Sequence, residues 1–448
     1  MSGVPAQKET IQESELSQKL RRLSYDDANK CVQCGYCLPV CPTYESMGKE
    51  SQSPRGRINL VKMAAEGKVD ILQDLAEPID LCLGCRACEV ACPVNVPYGS
   101  IYEAAKEVIA EQQKVERNDS KSKTKFRDIT LNHLFPQHKR LRAVGNMVWV
   151  YQKSGLRKLV QKTKILNKIS EPMGQFEKVL PKLESPLKRY KFGGKYSARG
   201  EKKAKIAFFP GCIMDAVLYK TNRLTIELLQ AIGCEVVIPK QQSCCGALHA
   251  HQGQTEEARK LAKANIQAFE ASGADYYINN AGGCGAMLRE YDHLLKDEPD
   301  WIVRAKAFVN KSKDITELLV ELGPLPFKKD WEGIITYQDS CHLRNVQGVI
   351  EQPRKLLRSI PGASFVEMEG SDRCCASGGI YNLLHFDESM EILDKKMKNA
   401  KNTNATTIVT TNPGCLLQMR LGVERSGLGD QVQALHIVEV LAEACGIE

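Results

Sequence analysis

No stretch of this 448-residue chain is apolar for the roughly 20 residues that a membrane-spanning helix requires. The longest candidate, Ala143 to Tyr151, is interrupted by Gly145 and Asn146. The first residues are polar and charged and lack the hydrophobic centre of a secretory signal. No Gly-x-Gly-x-x-Gly follows a strand candidate and no Walker loop is present, so the chain is not expected to bind flavin or nicotinamide nucleotide itself. Cysteine, at 18 residues, is too sparse for a disulfide scaffold. Thiols without an export signal point to a reducing cytoplasm.

What the chain does contain is one cysteine pattern written twice. Cys31, Cys34, Cys37 and Cys41 precede Pro42; Cys82, Cys85, Cys88 and Cys92 precede Pro93. Each run is Cys-x-x-Cys-x-x-Cys-x-x-x-Cys-Pro, the iron–sulfur pattern of two-cluster ferredoxins. Three cysteines at three-residue intervals can wrap one corner of a 4Fe–4S cube within a single loop. The fourth, just before proline, ligates the other cube in such ferredoxins. The expected ligand sets are therefore Cys31, Cys34, Cys37 and Cys92 for one cluster, and Cys82, Cys85, Cys88 and Cys41 for the other. Both prolines are expected to break helix and redirect the chain. Zinc favours pairs of Cys-x-x-Cys separated by a longer loop, which this is not. Clusters of this kind carry single electrons, and no residue of the chain is expected to be catalytic.

Charge is uneven. Between Lys121 and Lys205 there are 23 Lys or Arg against 5 Asp or Glu, whereas the whole chain is only +8. Within this segment Leu156, Leu159, Val160, Ile165, Leu166 and Ile169 alternate with Arg157, Lys158, Lys162, Lys164 and Lys168, the pattern of a basic amphipathic helix. Its apolar face could pack on the chain's own domains, lie on an anionic membrane or dock an acidic protein. Gly193, Gly194 and Gly200 mark a linker. Nucleic acid is not among the expected partners.

After this segment, strand and helix alternate. Strands are expected at Lys205–Pro210, Cys234–Ile238, Tyr276–Asn280, Ile334–Gln338, Ser364–Met368 and Thr407–Thr411. Helices are expected at Arg223–Ile232, Glu256–Ala271, Trp301–Leu322, Arg354–Ile360 and Met390–Lys401, so parallel α/β units follow. The cysteines repeat with them. Cys212, Cys244, Cys245 and Cys284 match Cys341, Cys374, Cys375 and Cys415 at offsets of 129, 130, 130 and 131 residues, which indicates a duplicated domain. In open α/β sheets, sites form beyond the carboxyl ends of strands, so these eight thiols are candidates for a further iron–sulfur cluster; the alternatives are buried thiols or a docking surface. His249, His251 and His342 stand beside them as candidate hydrogen-bonding neighbours. Cys234 and Cys445 have no counterpart and read as small apolar residues.

Four parts result: 1–114, a helical two-cluster ferredoxin-like domain with a polar leader at 1–20 and helices near Gly56–Glu66 and Tyr102–Lys114; 115–203, a basic helical connector; and the repeats 204–325 and 326–448. The arrangement resembles the glycolate oxidase iron–sulfur subunit family. The resemblance covers roughly 23–448 and rests on CVQCGYCLPVCPTY, SPRGRINL, CLGCRACEVACPVNVPYG, FFPGC, CCGALHAHQG and GCGAMLREY. The repeats are similar to the cysteine-rich CCG domains of heterodisulfide reductase, anaerobic glycerol-3-phosphate dehydrogenase and lactate-utilisation proteins.

The resemblance implies a multidomain α plus α/β fold and an electron-transfer role beside FAD-containing glycolate oxidase subunits. A membrane quinone pool is the expected acceptor, reached from the cytoplasm or peripherally at the inner face of the cell membrane. The alternatives are the same relay serving lactate or glycerol 3-phosphate oxidation, and a thiol/disulfide enzyme of the heterodisulfide reductase kind. The chain departs from CCG domains that hold a non-cubane cluster. Those end in Cys-x-x-Cys, whereas these repeats end Cys284-Gly-Ala-Met287 and Cys415-Leu-Leu-Gln418. Ala376 also stands where glycine is usual.

Overall fold

The computed structural model describes residues 20–116 and 129–448. The polar leader expected at the start, and residues 117–128 of the basic connector, lie outside them. The chain forms two compact units: Met1–Lys125 with Leu248–Thr255, and Phe126–Ala247 with Glu256–Glu448.

The first unit contains helices and loops and no strand among its described residues. Its long helices are Pro54–Ala65 and Tyr98–Glu116. Pro54 suits the first helical position, where its missing N–H costs nothing, and the Ser53 hydroxyl accepts from the Gly56 N–H at 2.9 Å. Ile58, Val61, Ala64 and Ala65 form one apolar face. They meet Ile101, Ala105, Val108 and Ile109, in a core against which Cys31, Cys82, Cys88 and Cys92 also pack. Contrary to expectation, Pro42 does not break a helix; it opens the helix Pro42–Met47, with Cys41 at the capping position.

The second unit holds two sheets. In the first, the order is β1 (Lys195–Tyr196), β3 (Cys234–Val237), β2 (Ala204–Phe209), β4 (Tyr276–Asn279), β5 (Ser312–Asp314). In the second it is β7 (Ser364–Phe365), β6 (Ile334–Tyr337), β8 (Thr407–Thr410), β9 (Gln433–His436). All neighbouring strands are parallel except β1, which pairs antiparallel with β3. The order 3-2-4-5 thus recurs as 7-6-8-9, with β1 added at one edge. The duplication extends to detail. β5 and β9 each end in a residue, Asp314 and His436, that caps the next helix in a reciprocal box with Glu317 and Glu439. One continuous apolar core joins Phe208, Val236 and Ile278 to Tyr337 and Val409 through Leu228, Leu318 and Leu441. Cys234 and Cys445 lie in that core, where burial pushes both thiols up to about 11.

All six expected strands are present. The helix expected over Trp301–Leu322 is divided by β5: Pro299–Lys311 and Ile315–Glu321 flank it. Ser-Lys-Asp carries no strand-like apolar alternation, and its pairing with β4 overrides local preference. The basic helix expected over 156–169 is two helices, Leu156–Thr163 and Ile165–Ile169. Lys164 between them is left-handed at φ 52°, and the Thr163 hydroxyl bonds back to the Leu159 and Val160 carbonyls at 2.9 and 3.2 Å.

The connector is anchored by the helix His138–Lys153 against Ile213–Val217. Gly145 permits the approach: a Cβ there would stand 2.3 Å from the Ala216 carbonyl oxygen. Beside it Arg142 grips the fully buried Asp215, at 2.8 and 2.9 Å, and Tyr190 donates to the same carboxylate at 2.6 Å. Burial alone would raise the pKa of Asp215, but His138, Arg142 and Tyr190 hold it at about 2. This is below the ~3.9 of an unfolded aspartate. The stabilisation is therefore complete above that value and is lost as pH falls through about 2. Asp215→Asn should cost about 3 kcal/mol, because the partly buried guanidinium is left uncompensated. Urea unfolding should show this loss at neutral pH, and a smaller difference between variant and parent as pH falls toward 3.

Candidate iron–sulfur sites

The two cysteine loops follow the same backbone course. In the first, Gln33 and Gly35 are left-handed, at φ 57° and 88°; in the second, Gly84 and Arg86 are, at 61° and 58°. These are equivalent positions, two after the first cysteine and one after the second. Such turns aim N–H groups at sulfur. The Gly84 N–H lies 3.4 Å from Cys82 Sγ, and the Val96 N–H 3.4 Å from Cys92 Sγ.

Two recesses result. One, of ≈ 410 Å³, is lined by Cys31, Cys34, Cys37, Cys88 and Cys92, with Tyr36, Pro93 and Val94 around it. The other, of ≈ 300 Å³, is lined by Cys41, Cys82, Cys85 and Cys88, with Pro42, Arg57 and Tyr98. Each recess thus brings three cysteines of one motif beside the last of the other, and Cys88 borders both. Among the described residues, no three His, Cys, Asp or Glu side chains converge as they would on a single metal ion; these thiols ring a space instead. Burial pushes the Cys37, Cys41 and Cys88 thiols upward, so iron binding would have to displace their protons.

The segment SPRGR serves both recesses. Arg55 lines the first and donates to the Gln33 carbonyl at 3.1 Å. Arg57, buried, lines the second. A Cβ on Gly56 between them would stand 1.9 Å from the Glu50 carbonyl oxygen, so only glycine permits this seating. Arg57 donates to Pro78 O at 2.7 Å, Gln52 Oε1 at 2.9 Å and Thr43 Oγ1 at 3.1 Å. Thr43 Oγ1 in turn lies 3.3 Å from Cys41 Sγ, and Tyr98 Oη 3.4 Å from Cys82 Sγ. Burial opposes the charge of Arg57, but Cys82, Tyr98 and Cys41 beside it more than offset this and raise its pKa. A guanidinium fixed here suits a site that gathers negative charge. In the sequence, SPRGRINL carries a family likeness and nothing that discloses this role.

Most of the repeat cysteines are also gathered. Cys212, Cys244 and Cys245 are buried and Cys284 partly so. Cys244 Sγ lies 3.9 Å from Cys212 Sγ, and Cys245 interacts with both Cys244 and Cys284. In the second repeat Cys375 interacts with Cys374 and Cys415, while Cys341 lies 3.5 Å from His342 Nδ1. Ala376 is left-handed at φ 66°, matching Gly246 at 91°, so the alanine keeps the glycine conformation at a cost of roughly 1–2 kcal/mol. The repeats differ in charge. Lys396, buried, donates to the Gly370 and Arg373 carbonyls. Burial pulls its pKa down to about 8, against the opposing pull of Cys375 and Cys374. The residue 130 positions earlier is Ile266. His249 and His251 belong to the first unit, with Leu248–Thr255, where His251 Nδ1 lies 3.9 Å from Glu103.

A helical domain with two thiol-ringed recesses, followed by paired parallel α/β domains with matching cysteines, defines an iron–sulfur protein of the dicluster type. Comparison with known families agrees. A 4Fe–4S dicluster domain matches residues 27–96. A cysteine-rich domain matches 206–289 and again 335–420. The linker region of the glycolate oxidase iron–sulfur subunit matches 122–180. The chain is 47% identical over 431 residues to the probable glycolate oxidase iron–sulfur subunit of Bacillus subtilis (strain 168), covering 95% of this chain and 96% of that protein. It is 28% identical to the glycolate oxidase iron–sulfur subunit of Escherichia coli (strain K12), over 90% and 92% of the two chains. Lactate utilization protein A of Oceanobacillus iheyensis is 37% identical, over 53% of this chain and 96% of its own. The chain belongs to the glycolate oxidase iron–sulfur subunit family, and its dicluster domain is one that holds two 4Fe–4S clusters.

Arg57→Gln should lower the midpoint potential of one cluster by about 60 mV, a tenfold change for a one-electron couple, and leave the other unmoved. Arg57→Lys should restore most of the difference. A redox titration followed by EPR measures both; equal shifts in the two clusters would show that Arg57 acts only on the fold.

Proposed function

We propose that this chain is the electron-transfer subunit of a complex that oxidises glycolate to glyoxylate. In this reading FAD-containing partner subunits perform the substrate chemistry, and electrons leave toward a quinone acceptor at the inner face of the cell membrane. The observation that carries the relay is that the last cysteine of each motif lines the recess of the other motif's first three, with Cys88 lining both, in a chain of this family. Cys31, Cys34, Cys37 and Cys92 would hold one cluster, and Cys41, Cys82, Cys85 and Cys88 the other. A 4Fe–4S cluster supplies one-electron acceptance and donation.

The protein's own contribution is electrostatic and spatial. Arg57 compensates charge in the second recess, and the Thr43 and Tyr98 hydroxyls lie within reach of cysteine sulfur. Cys34 is exposed, which brings the first recess within reach of a redox partner. The four-part division at 1–114, 115–203, 204–325 and 326–448 is supported by family matches that fall inside each part. Cys212, Cys244, Cys245 and Cys284, with Cys341, Cys374, Cys375 and Cys415, are proposed to hold a further cluster. The mutual approach of Cys212, Cys244, Cys245 and Cys284, and of Cys374, Cys375 and Cys415, supports it, and the lost terminal ligand argues for a type other than one ending in Cys-x-x-Cys. Lactate is the second substrate to test, because lactate utilization protein A resembles about half of this chain.

Reconstitution with the flavoprotein subunits should give cluster reduction by glycolate. Reduction by lactate alone would reassign the substrate, and disulfide reduction by the isolated chain would replace the relay. Protein purified without oxygen should contain about eight iron from the dicluster domain, with the excess over eight reporting the repeat cysteines. A total of eight would reject a cluster there. Cys41→Ala should chiefly remove the EPR signal of the cluster assigned to Cys82, Cys85 and Cys88; loss confined to the other signal would refute the crossed ligation.

A further inference from the structure

The connector helices leave most of their apolar side chains in solvent. On Leu156–Thr163 the side toward the protein carries Arg157 and Val160, both half-buried, with Gln161 at its edge. Arg157 donates to the Glu177 carboxylate at 2.9 Å and to the Glu177 carbonyl at 2.8 Å, and Gln161 donates to the same carboxylate at 3.0 Å. Tyr151 adds a third donor to this buried glutamate, at 3.0 Å. Leu156 and Leu159, which an amphipathic surface helix ordinarily buries, are 52% and 57% exposed. The pattern continues on both sides. Met147 and Val150 precede them, and Ile165, Ile169 at 69% and Met173 follow, all exposed. Of the six apolar residues from Leu156 to Ile169 only Val160 and Leu166 are half-buried, so the expectation that the face packs on the chain's own domains is met only in small part.

Basic charge accompanies these side chains along the same segment. Seven exposed Lys or Arg side chains lie between residues 139 and 173, against one exposed acid, Glu171. We propose that this surface docks the protein on an anionic lipid membrane. The apolar side chains would enter the boundary of the acyl region, while lysines reach the headgroup phosphates on their aliphatic stems. Charge alone would suit an acidic protein equally. Apolar side chains dispersed over several short helices, with lysines between them, fit a fluid surface better than a shaped one. None of the described helices is long and apolar enough to cross a membrane, so the protein would lie on it. This inference deepens the membrane-side acceptor of the proposed function and rests on that reading for its purpose.

The test is sedimentation of the full-length, iron-loaded protein with vesicles of phosphatidylglycerol and phosphatidylcholine, and with phosphatidylcholine alone. Binding should require the anionic lipid and weaken as salt is raised. Leu156→Ser with Leu159→Ser should reduce partitioning at least about tenfold. Lys158→Gln and Lys162→Gln should each reduce it about fivefold. Unchanged iron content and EPR spectra would show that the variants keep their fold and clusters. Equal binding to neutral vesicles, absence of binding by the parent protein, or leucine and lysine variants that bind like the parent would each overturn the proposal. So would loss of flavoprotein capture in the leucine variant when the parent binds no vesicles, since that assigns the face to a protein. Vesicle binding needs no electron transfer, so its failure and failure of the relay are separately visible.

Discussion

The last cysteine of each motif lies across from its own loop, at the recess of the other. Cys92 shares a recess with Cys31, Cys34 and Cys37; Cys41 shares one with Cys82, Cys85 and Cys88. That exchange forces the two loops to close on each other across everything between them. The helix Pro54–Ala65 fills the gap, and its first turn has to present one arginine to each side. Gly56 is the hinge of that demand, since any side chain there would strike the Glu50 backbone. Iron in such a site would tie both loops together, and its binding energy would also be folding energy. The buried Arg57 fits the same logic. Its three kinds of acceptor, Thr43, Gln52 and Pro78, come from before and after the helix, so one side chain holds the second loop's approach to the first.

The second unit solves a different problem, two half-domains that share one core. Equal strand order shows that each repeat keeps its own sheet, while Leu228, Leu318 and Leu441 belong to a single apolar cluster. Polar links cross as well. His436 at the end of β9 bonds the Asn280 carbonyl at 2.9 Å, and Thr221 bonds Glu439 at 3.1 Å. Burial lowers the pKa of His436 to about 4 and raises that of Asp314 to about 7. A neutral imidazole can accept from the Val438 N–H while its other nitrogen meets Asn280. Each repeat thus ends its last strand with a capping side chain, although the two residues share no chemistry beyond a hydrogen-bond acceptor.

Much of this was legible in the residues. The cysteine spacing is set by what a cube demands of a loop, so it survives in plain text, and six strands were marked by short apolar runs bounded by turns. The remainder depended on contacts between distant residues. β5 is Ser-Lys-Asp, which reads as the middle of a helix until β4 offers it a ladder. β1 lies among glycines that read as a linker. His249 and His251 follow Cys244 and Cys245 closely in sequence, yet their segment packs with the first unit, because Gly253 lets the backbone meet Lys106 and Ala110. The basic connector showed its apolar residues, but neither the break at Lys164 nor the orientation of the helices. Period says which residues share a face; only Glu177, buried with donors from Tyr151, Arg157 and Gln161, decides which face turns inward.

Fixed charge beside the two recesses is unequal. A fixed cation beside a cluster stabilises its reduced state, and burial strengthens the effect because little water screens it. At the second recess that cation is Arg57, almost wholly removed from solvent. At the first it is Arg55, 28% exposed and paired with Glu50, so its field is partly neutralised. A cluster in the second recess would therefore be the easier of the two to reduce. The same asymmetry recurs in the repeats, where Lys396 stands near Cys374 and Cys375 and Ile266 takes its equivalent place in the first. Should both cysteine sets hold clusters, the one in the second repeat would be the easier to reduce. Duplication produced two similar thiol sets, and one buried lysine is enough to make them unequal.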